Sequence, residues 1–132
     1  MIDVANDAEG VRMALEEMFE EDFVHSRIER DSKGASEETR ERLAAQLPAR
    51  TLSPGYYQFG SHLFWLDSLR KAGIEFGPDD LLAYEARGLV ALTRARGNFE
   101  YKHPDCGSCH ARQQTRFGAK CDACGVEFRR KR

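Results

Sequence analysis

The sequence predicts a mainly α chain: a small N-terminal bundle of about four helices over residues 1–97, then a compact β-type unit over residues 98–132. Three observations predict it. Apolar residues recur at helical spacing through most of the first part. All four cysteines fall near the C-terminus in two C-x-x-C pairs, Cys106 and Cys109, then Cys121 and Cys124. The charge also changes sign between the two parts. From Phe99 on, eight basic side chains stand against four acidic, a balance of +4, whereas the preceding residues carry twelve basic and eighteen acidic, −6. Opposite signs in two parts of one chain point to different partners for each, or to contact between them.

The first helix is expected from about Asp7 to Arg30, capped by Asn6 or Asp7. Val11, Leu15, Met18, Phe19 and Phe23 make its apolar stripe, and Glu16, Glu17, Glu20, Glu21 and Asp22 crowd the rest of its surface. Gly34 punctuates the break that follows. Ser36 then reads as an N-cap, with Glu37 and Glu38 at the positive end of a second, short helix. Leu43, Ala44 and Leu47 are expected on its inner side and Pro48 ends it.

Ser53 and Pro54 open the third helix, and Gly73 closes it. Tyr56, Tyr57, Phe59, Leu63, Phe64, Trp65, Leu66 and Leu69 run nearly all round it, as in a helix buried between others. Pro78, Asp79 and Asp80 start the fourth, which is expected to run to about Arg96. Its apolar side is Leu81, Leu82, Leu89, Val90 and Leu92, and Gly97-Asn98 ends it. Leu63, Trp65 or Leu66, Leu69, Leu89 and Leu92 are the expected core.

The cysteine pairs carry the strongest signal. Two matched C-x-x-C turns can aim four thiolates at one point, and tetrahedral zinc accepts four. Gly107 inside the first pair and Gly125 after the second supply residues that tolerate positive φ. Iron in a four-sulfur site is the chemical alternative, since tetrahedral sulfur suits both metals. Disulfides would suit a secreted domain, and a redox C-x-x-C would stand beside a βαβ pattern that this chain lacks. Phe99-Glu100-Tyr101, Thr115-Arg116-Phe117-Gly118 and Val126-Glu127-Phe128 alternate apolar and polar residues as half-exposed strands do. The stretch from Phe99 to Phe128 thus resembles a zinc ribbon, with cysteine turns at the tips of short hairpins. That resemblance implies a fold and a structural zinc, and it implies no particular function.

The chain has 132 residues, 41% hydrophobic and 32% charged, enough for one domain or a small domain with a metal-held appendage. Its acidic opening lacks the basic start and apolar run of a signal peptide, and no apolar run is long enough to span a bilayer. A cytoplasmic location is expected, where thiols stay reduced. No enzyme is expected. Asp22 and His25 form a single Asp-x-x-His, and His62 and Glu85 lie on two other helices. A di-iron bundle instead repeats Glu-x-x-His and adds two further carboxylates. Four cysteines leave no open position for catalysis at the metal. His103 and His110 flank the first pair and are expected to donate hydrogen bonds around it.

Two non-enzymatic functions remain. In the first, an accessory or regulatory adaptor in a nucleic-acid-associated assembly contacts phosphates through Arg112, Arg116, Lys120 and the tail Arg129, Arg130, Lys131 and Arg132. In the second, the bundle or the cysteine unit docks on a protein partner without touching nucleic acid. Neither reading includes a membrane or a small-molecule substrate.

Overall fold

The structure is a computed structural model that describes residues 2–31, 33–34, 36–45, 47, 49–77, 79–113, 120–121 and 123–127. It is mainly helical, with α1 (Ile2–Ala5), α2 (Ala8–Asp31), α3 (Glu37–Ala44), α4 (Pro54–Lys71) and α5 (Ala83–Lys102). The chain divides into two compact units, Met1–Arg96 and Gly97–Arg132. Among the described residues there is no sheet. Two isolated antiparallel bridges, Asp105 with Arg112 and Lys120 with Glu127, lie in the second unit. Among the described residues no helix is long and apolar enough to cross a membrane.

The first unit is built around α4, which packs against α1 and α2. Its buried residues Tyr57, Phe59, Gly60, Leu63, Leu66 and Asp67 recur at three- and four-residue spacing, so one stripe faces inward. Val11 and Leu15 of α2 and Leu89, Ala91, Leu92 and Ala95 of α5 complete the core, and Phe19 meets Phe64 edge-on at 5.2 Å. The expectation that α4 is buried all round is corrected: Trp65 is 56% exposed, stacked on His62 at the surface. Leu69 is half-buried, and Leu82 and Val90 are exposed.

Local chemistry sets the helix ends. Asp7 caps α2 by accepting from the Gly10 N–H at 3.0 Å, and its other oxygen accepts from the Tyr56 hydroxyl at 2.7 Å. The break between α1 and α2 falls at this cap. The Ser36 hydroxyl accepts from the Thr39 N–H at 3.3 Å and caps α3. Ala44 and Leu47 are exposed, which corrects their expected inward position, and Pro48 lies outside the described residues. At the end of α4, Gly73 adopts φ 97°, the Ile74 N–H donates to Leu69 O, and the Gly73 N–H donates to Arg70 O, as in a Schellman cap.

Both ends of α5 differ from expectation. The side chain of Asp80 accepts from the Gly77 N–H at 2.6 Å, which ties it into the preceding turn. The helix begins at Ala83 instead, because Glu85 reaches back to accept from the Leu82 N–H at 3.0 Å, half of a capping box. Pro78 lies outside the described residues. At the other end, Gly97-Asn98 does not stop the helix. Phe99 and His103, four residues apart and both buried, set their rings 5.0 Å from each other at a tilt of 47°. A mid-helix glycine costs about 1 kcal/mol, too little to end a helix whose next turn is packed. Phe99-Glu100-Tyr101 is therefore helix and not strand.

Candidate metal centre

The two cysteine pairs form turns of the same design, fifteen residues apart. In the first, the Cys106 N–H donates to Ala111 O at 2.8 Å and the His110 N–H donates to Cys106 O at 2.9 Å. In the second, the Cys121 N–H donates to Val126 O at 2.8 Å and the Gly125 N–H donates to Cys121 O at 3.1 Å. Each turn sits inside one of the two bridges. Each also points a backbone N–H at its leading sulfur, Ser108 to Cys106 Sγ at 3.4 Å and Ala123 to Cys121 Sγ at 3.3 Å. The left-handed residue in each is the one after the second cysteine: Gly125 at φ 75° and His110 at φ 60°. Gly125 fills the expected role and Gly107 does not. In the first turn it is His110, not Gly107, that takes the left-handed conformation.

The turns face each other across one point. Cys106 Sγ lies 3.7 Å from Cys124 Sγ, Cys109 Sγ lies 3.5 Å from Cys121 Sγ, and all four sulfurs lie within 4.8 Å of one another. All four cysteines are free, Cys106 and Cys121 buried, Cys109 and Cys124 exposed. A tetrahedral ion with sulfurs at about 2.3 Å separates them by about 3.8 Å, so the donor set fits a four-sulfur metal centre. Among the described residues no other group of three or more His, Cys, Asp or Glu converges in this way.

The thiols are not equivalent. The Cys124 N–H, helped by that of Ala123, outweighs burial and lowers the Cys121 thiol to about 6. Cys106 is lowered chiefly by the N–H groups of Cys109 and Ser108. The Val126 N–H pulls Cys124 down, but partial desolvation of its sulfur and three neighbouring thiols outweigh it and push the group up to about 12. Cys109 is raised too: the Ala111 N–H lowers it, and Cys121, burial and Cys106 prevail. One thiol in each turn is thus lowered and its companion raised, and four thiolates together need a cation to offset their charge.

Around the first turn stands a buried polar scaffold. His103 and Gln113 are both buried, and His103 Nδ1 lies 2.9 Å from Gln113 O. Gln113 Nε2 donates to Ala111 O at 2.7 Å and to Cys121 Sγ at 3.4 Å. Arg112 donates to His103 O at 2.8 Å, lies over the Phe99 ring at 5.1 Å and faces Asp105 at 3.5 Å. Gln113 carries no sequence signal, since glutamine is neither a metal ligand nor part of the cysteine pattern.

Of the basic residues singled out in the sequence, Arg112 is thus engaged in the first turn, and Lys120 is exposed within the second bridge. Arg116 and Arg129, Arg130, Lys131 and Arg132 lie outside the described residues, as do Thr115–Gly118 and Phe128. In the first unit, His25 pairs with Glu29 at 3.4 Å on the surface, and His62 Nε2 lies 2.6 Å from Glu85 Oε2. Comparison with protein-family models, curated proteins and solved structures finds no match to this chain.

Proposed function

We propose that the chain is a zinc-binding, non-enzymatic accessory or regulatory adaptor in a nucleic-acid-associated assembly. The observation that carries the metal part is the convergence of four free thiols from two matched turns. Zinc suits that set because it is redox-inert and takes four thiolates tetrahedrally. Four protein ligands fill the coordination sphere, which supports a structural role over a catalytic one. Metal analysis of pure, reduced protein should find one zinc per chain. Iron in its place would correct the metal, and neither metal would refute the centre.

The nucleic-acid part is supported by the sign change along the chain, +4 after Asn98 against −6 before it. Arg112 is committed to its own turn, so phosphate contact falls to Arg116, Lys120 and Arg129 to Arg132. Binding of random DNA and RNA at low salt, titrated with salt, tests this reading. No binding at low salt would exclude it.

A second reading, docking of the helical unit on a protein partner, is favoured by the exposed Trp65, Leu82, Val90 and Met13 of the first unit. Pull-down with Trp65→Ala beside the parent chain separates the two. A partner kept by the parent and lost by the variant assigns docking to that unit.

A further inference from the structure

We propose that Gln113 is a positioning residue of the metal centre: its side-chain amide donates to the Cys121 thiolate and sets how tightly the four cysteines hold a divalent metal. The inference rests on the metal-centre reading and extends it to a residue that is not a ligand.

Gln113 is 2% exposed, and a buried amide needs partners. Its Nε2 donates to Ala111 O at 2.7 Å and to Cys121 Sγ at 3.4 Å. A carbonyl oxygen and a thiolate sulfur only accept, so the NH2 end of the amide faces them. The backbone of Gln113 is fixed on both sides. Its N–H donates to Pro104 O at 2.9 Å, and its carbonyl accepts from His103 Nδ1 at 2.9 Å. That contact makes Nδ1 the protonated nitrogen of His103. The guanidinium of Arg112 in turn holds the carbonyl of His103.

The bond to Cys121 joins the two turns. Gln113 follows the first pair, and the sulfur it reaches belongs to the second. Among the described residues, the other N–H groups on Cys121 Sγ are those of Ala123 and Cys124, from its own turn. Four thiolates around a divalent ion leave a net charge of −2, and each N–H directed at a sulfur spreads that charge, most usefully at a buried sulfur such as Cys121. Gln113 supplies such a donor from a side chain, so a substitution removes it, together with its bond to Ala111 O.

The test uses the full chain, Zn2+ in competition with a chromophoric chelator, and Co2+ as a spectroscopic probe. Gln113→Met keeps the length of the side chain and removes the donor. Gln113→Glu keeps its shape and turns an acceptor toward the thiolate. Zinc affinity should fall about 10-fold in Gln113→Met and toward 100-fold in Gln113→Glu, the range that losing a partner of a metal ligand gives. In the cobalt protein, losing an N–H donor leaves the sulfur more electron-rich. The sulfur-to-cobalt charge-transfer band should therefore move to longer wavelength in Gln113→Met. The band is read on loaded protein, so a variant that only packs badly lowers affinity without moving it, and that result would overturn the inference. Unchanged affinity and band in both variants would overturn it too. If the parent chain binds neither Zn2+ nor Co2+, it is the metal centre itself that fails.

Discussion

Cys106 and Cys121 are the buried members of their pairs, and each accepts N–H groups from its own turn. Replacing either by serine removes a soft donor that zinc prefers and leaves three ligands around a centre built for four. Structural zinc contributes about 10–16 kcal/mol in small finger peptides at neutral pH, more than the margin of a small domain. Cys106→Ser or Cys121→Ser should therefore lose the metal and the structure of the second unit while most of the far-UV helical signal remains. Retention of one zinc per chain at the parent's affinity would contradict this. Asp67 is the corresponding residue of the first unit. Its carboxylate is buried, yet Arg96 at 2.7 Å, Arg70 at 3.0 Å and Lys71 at 3.1 Å surround it. Burial alone would raise it, but the hydrogen bonds from Arg96, Lys71 and Arg70 outweigh burial and hold it below its usual range. A lowered folded-state value means that this stabilisation is complete above the ordinary carboxylate pKa of about 4 and is lost as pH falls through the lowered value. The stability gap between the parent and Asp67→Asn, read from urea midpoints, should be constant near neutral pH and close on acidification. A gap that widens with acid would reverse the sign.

At the scale of elements, burial decides what each helix contributes. Leu89 of α5 is buried in the core cluster, so Leu89→Ala should cost about 2–5 kcal/mol. Trp65 of α4 is largely exposed, so Trp65→Ala should stay within about 0.5 kcal/mol in thermal or chemical melts. Equal effects of the two would contradict the packing of α4. Gly97 gives a sharper test. It lies within α5, outside the positive-φ region, and a Cβ there meets nothing within 4 Å. Gly97→Ala should thus stabilise the chain by about 0.5–1 kcal/mol. If Gly97 were instead a left-handed helix end, alanine would destabilise it. These positions also show how far the sequence could be read. Leu63, Leu66, Leu89 and Leu92 were legible as core because helical spacing alone places them on one stripe. The cluster of four cysteines was legible because nothing else in the chain competes for that pattern. The outer face of Trp65 was not, since spacing cannot say which side of an apolar helix lacks a neighbour. The path of α5 through Gly97 was hidden by a local stop signal that the packed turn at Phe99 and His103 overrides. Gln113 became visible only when a fold brought the first turn to the second.

Across the whole molecule the charge is divided, not absent: a net −2 conceals an acidic first part and a basic second one. A chain with −6 on one part repels phosphate there, so the proposed nucleic-acid contact is assigned to the basic end, and four of its eight cations lie in Arg129 to Arg132. The proposed phosphate contact therefore predicts a measurable dependence on that tail. Each phosphate neutralised releases condensed counterions, and the logarithm of affinity falls with the logarithm of salt by about 0.9 per contact on duplex DNA. Deleting residues 129–132 should weaken binding to all sequences alike and flatten the salt slope by as much as about 3–4 units. Zinc content should not change, because the last ligand, Cys124, precedes the tail by four residues. Binding with the same slope in the full and shortened chains would move the contact to Lys120 and Arg116. Binding indifferent to salt would remove phosphate from the account, leaving the tail as a contact for an acidic protein surface. The full-length slope sorts these outcomes, since only phosphate contact ties its steepness to the number of cations engaged.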